Sequence, residues 1–105
     1  MNEVPKSHKE LILYALTKAI DARCGITYVG DYGDFTKMFG RYYSSIIALI
    51  NAASPYLSNI NELLKKAVKA WEAFGSENNP KLGSAARILD EVFREVINEV
   101  KEVIK

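Results

Sequence analysis

Residues 34–51 of the chain read DFTKMFGRYYSSIIALIN. Phe39 directly precedes Gly40, and the apolar residues Ile46 and Leu49 follow three residues apart. This spacing predicts two short helices on either side of a turn at Gly40, packed at a steep angle on a third helix. We expect the segment to fix the arrangement of the helices around it.

The stretch before this segment predicts one long helix and one loop. Apolar residues recur every three or four positions between Ser7 and Arg23, which is typical of a helix with a broad core-facing side. Gly25 is expected to end that helix. The segment from Gly25 to Gly33 holds three glycines and two tyrosines, so it predicts a Gly/Tyr-rich loop.

The stretch after the segment predicts a pair of long helices. Ser54 and Pro55 suit the start of a helix, and Gly75 suits a left-handed stop. Trp71 lies on the apolar stripe of this helix and is expected in the core. A last helix should open at Asn79 or Ser84 and form an antiparallel hairpin with it. The sequence therefore predicts an all-α fold, a compact bundle of four to five helices.

Length and composition place limits on the class of protein. With 105 residues, 49% of them hydrophobic, the chain fits a single domain spanning residues 1–105 with its own core. Cys24 is the only cysteine, which favours a reducing compartment over secretion. No apolar run approaches the roughly 20 residues of a membrane helix, and the first ten residues have no hydrophobic targeting core. We expect a cytoplasmic protein without a membrane partner.

Charge is distributed unevenly along the chain. The net charge is only +1. Residues 35–71 carry five basic side chains and one acidic side chain, whereas residues 72–105 carry seven acidic and five basic ones. A nucleic-acid contact would therefore have to come from the middle of the chain. Gln is absent, and Lys, Glu and Ile are frequent, a composition typical of thermophiles.

The chain lacks the residue patterns of common catalytic and metal sites. His8 is the only histidine, and no cysteine or paired carboxylate is near it in sequence. No nucleophile–base pair, phosphate-loop lysine or dinucleotide fingerprint occurs. We expect no metal site, no cofactor and no enzyme activity of the chain on its own, although it could serve as an accessory domain of a replication enzyme.

Residues 34–51 resemble the helix-turn-helix family of DNA-binding proteins. The matching features are the apolar positions Phe35, Phe39, Ile46 and Leu49, the turn residue Gly40 and the closing Asn51. The resemblance implies DNA binding through the second short helix, in replication or transcription. The residues expected at this nucleic-acid surface are Lys37, Arg41, Tyr42, Tyr43, Ser44, Ser45, Lys65, Lys66 and Lys69. The competing interpretation is a helical corner of the core without a ligand.

Tyrosines near the predicted loop suggest a second mode of DNA binding. Tyr28 and Tyr32 lie among the glycines of this loop and could stack on unpaired bases. A basic, tyrosine-bearing helix bundle is similar in class to the accessory domains of archaeal plasmid primases, which would imply binding of single-stranded template and nucleoside triphosphates. A third possibility is a protein-interaction or oligomerisation module that uses the apolar face of the last helix. The sequence does not decide between single- and double-stranded DNA.

Overall fold

The structure, a computed structural model, describes residues 4–27, 32–76 and 84–104. These residues form four α-helices and one short 3-10 helix, and no strand occurs among them. The α-helices are α1 (Lys6–Thr27), α2 (Tyr32–Ala53), α3 (Ile60–Ser76) and α4 (Ala85–Val100), and Ser54–Tyr56 form the 3-10 helix. The predicted all-α bundle is confirmed.

The helices form two antiparallel hairpins joined through α2. Gly25 near the end of α1 lies beside Met38 near the start of α2, and His8 at the start of α1 shares a 2.6 Å hydrogen bond with Tyr56. The chain from Ser58 through α3 meets α4 in reverse order, as the Lys66–Glu95 ion pair and the Ser58–Glu99 hydrogen bond show. α2 also packs on both α3 and α4, so it is the central helix of an elongated bundle measuring 50 × 24 × 15 Å.

The predicted turn at Gly40 is wrong, because α2 continues without a break through it. One face of α2 buries Phe39, Tyr42, Ile46 and Leu49, which recur at helical spacing and meet α3 and α4. Glycine inside a helix costs about 1 kcal/mol relative to alanine, which is small beside the burial of several large side chains. The two helices that define a helix-turn-helix are therefore one helix here.

Gly25 does not end α1 but lies inside it. A Cβ atom at this position would stand 3.0 Å from the sulfur of Met38, closer than side chains normally approach. The missing side chain therefore allows α1 and α2 to approach each other closely. The predicted loop from Gly25 to Gly33 is correspondingly too long, because α1 reaches Thr27 and α2 begins at Tyr32.

The second hairpin follows the prediction more closely. Ser54 and Pro55 start the 3-10 helix, and α3 itself begins later, at Ile60. α3 runs through Gly75 to Ser76, so the predicted left-handed stop at Gly75 is wrong. Ser84, one of the two residues predicted to start the last helix, directly precedes α4.

The core surrounds α2, which packs against α1 on one side and against the second hairpin on the other. The ring of Phe39 stacks on that of Phe74, with centroids 4.4 Å apart and planes 4° from parallel. Buried aliphatic residues of α4, such as Leu89 and Val96, extend this core along the bundle. Trp71, predicted in the core, is 47% exposed and covers the aromatic pair from outside. Among the described residues, no helix is long and apolar enough to cross a membrane.

Candidate nucleic-acid interface

A shallow groove of about 780 Å³ crosses the outer face of α2. The space above Gly40 is open, because glycine has no side chain to fill it. A Cβ atom at this position would meet no described atom within 4 Å. The lining side chains come from three helices: Lys18, Asp21 and Ala22 of α1, Met38, Gly40, Arg41, Tyr43, Ser44 and Ser45 of α2, and Trp71 of α3. Four of the predicted site residues, Arg41, Tyr43, Ser44 and Ser45, therefore lie together.

Two aromatic rings form one wall of the groove. The ring centroids of Tyr43 and Trp71 are 5.0 Å apart, and their planes are inclined by 41°. Trp71 is held from behind by Phe39 and Phe74, at centroid distances of 5.9 and 6.2 Å. Because its neighbours fix the indole while about half of it stays exposed, the ring is oriented in advance for a flat apolar ligand.

The other lining groups are mainly basic and hydroxyl-bearing. Arg41 is exposed and forms no ion pair with any residue in the described ranges. Lys18 lies across the groove, with its ammonium 5.4 Å from the ring centroid of Tyr14. Ser45 donates a 2.8 Å hydrogen bond to the carbonyl oxygen of Arg41, and Ser44 is exposed. Asp21 is the single acid among the described lining residues, so they carry a small positive excess.

Tyr42 points the opposite way, and its predicted place on the binding surface is wrong. Its side chain is 1% exposed, and its hydroxyl donates a 2.6 Å hydrogen bond to Asp90 of α4. Arg23 of α1 holds the same carboxylate through Nε at 2.8 Å and through Nη2 at 3.2 Å. Burial, reinforced by the bond to Asp90, raises the pKa of Tyr42. The pKa of the Arg23 guanidinium is also raised, mainly by its hydrogen bond to Asp90.

The structure places the three predicted lysines of α3 away from the groove. Lys66 binds Glu95 of α4 at 2.6 Å, and this hydrogen bond raises the pKa of its ammonium. Lys65 lies 3.7 Å from Glu62 on the solvent side of α3. Lys69 is exposed and two residues from Trp71, so it faces a different side of the helix. None of these lysines is among the described residues that line the groove with Arg41.

The remaining predicted residues are described only in part. Lys37 is exposed on α2, one helical turn before Arg41 and on the same face. Tyr28 lies outside the described residues. Tyr32 begins α2, and only its backbone is described. Stacking by these two tyrosines stays a prediction.

Sequence reasoning missed Lys18 and Trp71 as groove residues. The apolar period of α3 assigns Trp71 to the core, but the buried face is displaced toward Leu63, Ala67 and Ala70. Lys18 approaches α2 only through the packing of α1, which spacing within α1 does not reveal. Among the described residues, no group of three potential metal ligands occurs. Comparison with protein-family models, curated proteins and solved structures finds no match to this chain.

Proposed function

We propose that the chain binds single-stranded nucleic acid, above all DNA, in the groove on α2. The observation that carries this proposal is that the rings of Tyr43 and Trp71, both at least partly exposed, line the same groove as Arg41. Aromatic rings that stack on bases, next to cations that bind phosphates, are the common chemistry of single-strand binding surfaces. The chain would act as a binding module of replication or transcription, with no catalysis of its own.

The aromatic wall would supply most of the binding free energy. Stacking of one base on an aromatic side chain contributes about 1–3 kcal/mol and tolerates any base. The indole of Trp71 meets this requirement because Phe39 and Phe74 support it from behind. Little side-chain entropy is then lost when a base binds.

The cations would hold the backbone but would contribute modestly. Arg41 and Lys18 line the groove, Lys37 lies one turn away, and Asp21 opposes them. With two or three phosphate contacts, the slope of log K against log salt for a single strand should be about −1.4 to −2.1. The small net charge of +1 agrees with such weak salt dependence.

A single strand fits this surface better than a duplex. The helix-turn-helix interpretation needs a separate recognition helix, whereas residues 34–51 belong to one continuous α2. In a duplex the bases are already stacked and their faces cannot reach Trp71. A nucleoside triphosphate presents the same base and phosphate groups, so the primase-type alternative uses the same groove.

The exposed thiol of Cys24 favours a reducing, cytoplasmic setting.

Trp71 is the only tryptophan, so its fluorescence reports directly on the groove. At about 50 mM salt we expect an oligothymidylate of about 15 nucleotides to quench this fluorescence. A duplex of equal length should quench it less. Quenching by the oligothymidylate should also be weaker at about 200 mM salt than at about 50 mM. Tyr43→Ala and Arg41→Gln should each weaken binding, while the matched control Arg87→Gln, an exposed arginine of α4, should not.

Three outcomes would contradict the proposal. These are unchanged fluorescence with every oligonucleotide at low salt, tighter binding of the duplex, or an equal loss of affinity from Arg41→Gln and Arg87→Gln. Quenching by nucleoside triphosphates as well as by the oligonucleotide would support the primase-type alternative. Circular dichroism melting of each variant separates lost binding from unfolding.

A further inference from the structure

Helix α1 exposes apolar side chains on a flank that no other described helix covers. Leu13 and Ile20, seven residues apart, are 45% and 51% exposed, while Ile12, Ala15 and Ala19 form the buried face beside them. Residues seven apart lie on one side of a helix, so these two side chains form a stripe. A helix that is apolar around most of its circumference is normally covered by another surface.

Helix α4 supplies the opposite wall of an open cleft. Ile20 lines a cavity of about 460 Å³ together with Phe93 and Ile97 of α4, both only partly buried. The floor includes Ala19 and the Tyr42–Asp90 hydrogen bond. Helices α1 and α4 pack only slightly against each other. The apolar stripes of α1 and α4 therefore stand on either side of a gap.

The rim of this cleft on α4 is basic. Arg87, Arg94 and Lys101 are exposed and lie seven residues apart along α4 and its end. Arg94 lines the cleft itself and forms no ion pair with any residue of the described part. Asp90, the one acid among the described residues that line the cleft, is already bound by Arg23 and by the hydroxyl of Tyr42. The charge that the described rim presents to a ligand is consequently positive.

Charge and shape together indicate what occupies the cleft. A symmetric dimer through this face would bring two basic rims together, which disfavours a second copy. The α1 wall from Leu13 to Cys24 is about 16 Å long, or three helical turns, the size of an amphipathic helix laid in a groove. We propose that the α1–α4 cleft binds an acidic amphipathic helix of a partner protein. Its apolar face covers Leu13, Ile20 and Phe93, and its carboxylates meet Arg94 and the neighbouring rim.

The test uses two synthetic, fluorescein-labelled helical peptides with the whole protein. Each has about 18 residues with leucines along one face, and the polar positions carry glutamate in one peptide and lysine in its twin. By fluorescence anisotropy we expect the glutamate peptide to bind at least about tenfold more tightly than the lysine peptide. Ile20→Glu should weaken binding about tenfold or more, and Arg94→Glu several-fold.

The chain offers a matched control for the apolar substitution. Val68 of α3 is 45% exposed, close to the exposure of Ile20, but it does not line the cleft. Val68→Glu should leave peptide binding unchanged. Leu13→Glu, on the same exposed stripe of α1 beyond the cleft lining, provides a second variant should Ile20→Glu prove unstable in thermal melting. Oligothymidylate quenching of Trp71 should stay unchanged in Ile20→Glu, so failure of this proposal is distinguishable from failure of the nucleic-acid proposal.

Several results would overturn the proposal. Equal binding of both peptides, equal loss from Ile20→Glu and Val68→Glu, or no binding of the glutamate peptide would each do so. A dimer in sedimentation analysis that Ile20→Glu dissociates would assign the cleft to a second copy instead. Ile20-dependent binding to anionic lipid vesicles, without peptide binding, would assign it to a membrane surface.

Discussion

The two hairpins of the bundle use apolar side chains differently. In the α3–α4 hairpin, α4 confines them to one stripe, where Leu89, Val92 and Val96 are fully buried. In the α1–α2 hairpin, α1 buries one face and still exposes Leu13 and Ile20 on another. Helix α4 therefore resembles an ordinary amphipathic helix and α3 leaves Val68 and Trp71 about half exposed, whereas α1 carries more apolar surface than the fold itself uses.

This difference separates the parts that hold the fold from the parts available for binding. Both candidate sites border the first hairpin, namely the groove on α2 and the cleft beside α1. The second hairpin contributes one wall to each, through Trp71 to the groove and through Phe93 to the cleft. The comparison predicts that stability resides in the buried core around α2 and falls off toward both sites.

The largest expected effect contrasts two rings in the same aromatic cluster. Phe39 is fully buried and stacks on Phe74, so Phe39→Ala should cost about 3–5 kcal/mol in the free energy of unfolding. Trp71 keeps about half of its surface in water. Trp71→Ala should therefore cost only about 1–2 kcal/mol, despite the larger ring. Urea denaturation followed by circular dichroism measures both.

A reversed order of the two variants would show that Trp71 belongs to the core and that the groove lacks its aromatic wall. Phe74→Ala serves as the control, because it removes the other half of the stacked pair and should resemble Phe39→Ala.

The next effect concerns the polar link between the hairpins. Asp90 accepts hydrogen bonds from Arg23 and from the buried hydroxyl of Tyr42. Asp90→Ala should cost about 2–3 kcal/mol, mainly because that hydroxyl then loses its acceptor. Tyr42→Phe, which leaves the Arg23–Asp90 pair intact, should cost only about 1 kcal/mol. Thermal melting of both variants measures the difference, and equal losses would mean that neither the Arg23–Asp90 pair nor the hydroxyl left without an acceptor adds to the loss of the Tyr42–Asp90 bond.

The same contrast explains what the sequence could predict. The paired long helices follow from clean apolar periods, and the register of Leu89 and Val96 in α4 needs no tertiary information. Sequence alone does not place Trp71, because it lies at the edge of the apolar stripe of α3, where neighbouring helices decide burial. Tyr42 lies within the buried stripe of α2, but the predicted turn at Gly40 interrupts that stripe in the sequence. Gly25 and Gly40 predict helix breaks because the local cost of a glycine in a helix can be read from the sequence. The burial of neighbouring side chains, which outweighs this cost, cannot be read from the sequence.

The smallest effect tests those two glycines directly. Gly40 lies on the open face of α2, and a methyl group there would have no described atom within 4 Å, so Gly40→Ala should stabilise the protein by about 0.5–1 kcal/mol. At Gly25 the same methyl group would stand 3.0 Å from the sulfur of Met38. The helical gain there is offset by displacement of Met38, so Gly25→Ala should be neutral or destabilising. Urea denaturation of the two variants measures the difference. If Gly40→Ala destabilises the protein, α2 is not continuous in solution, and a turn at Gly40 with two shorter helices describes this region better.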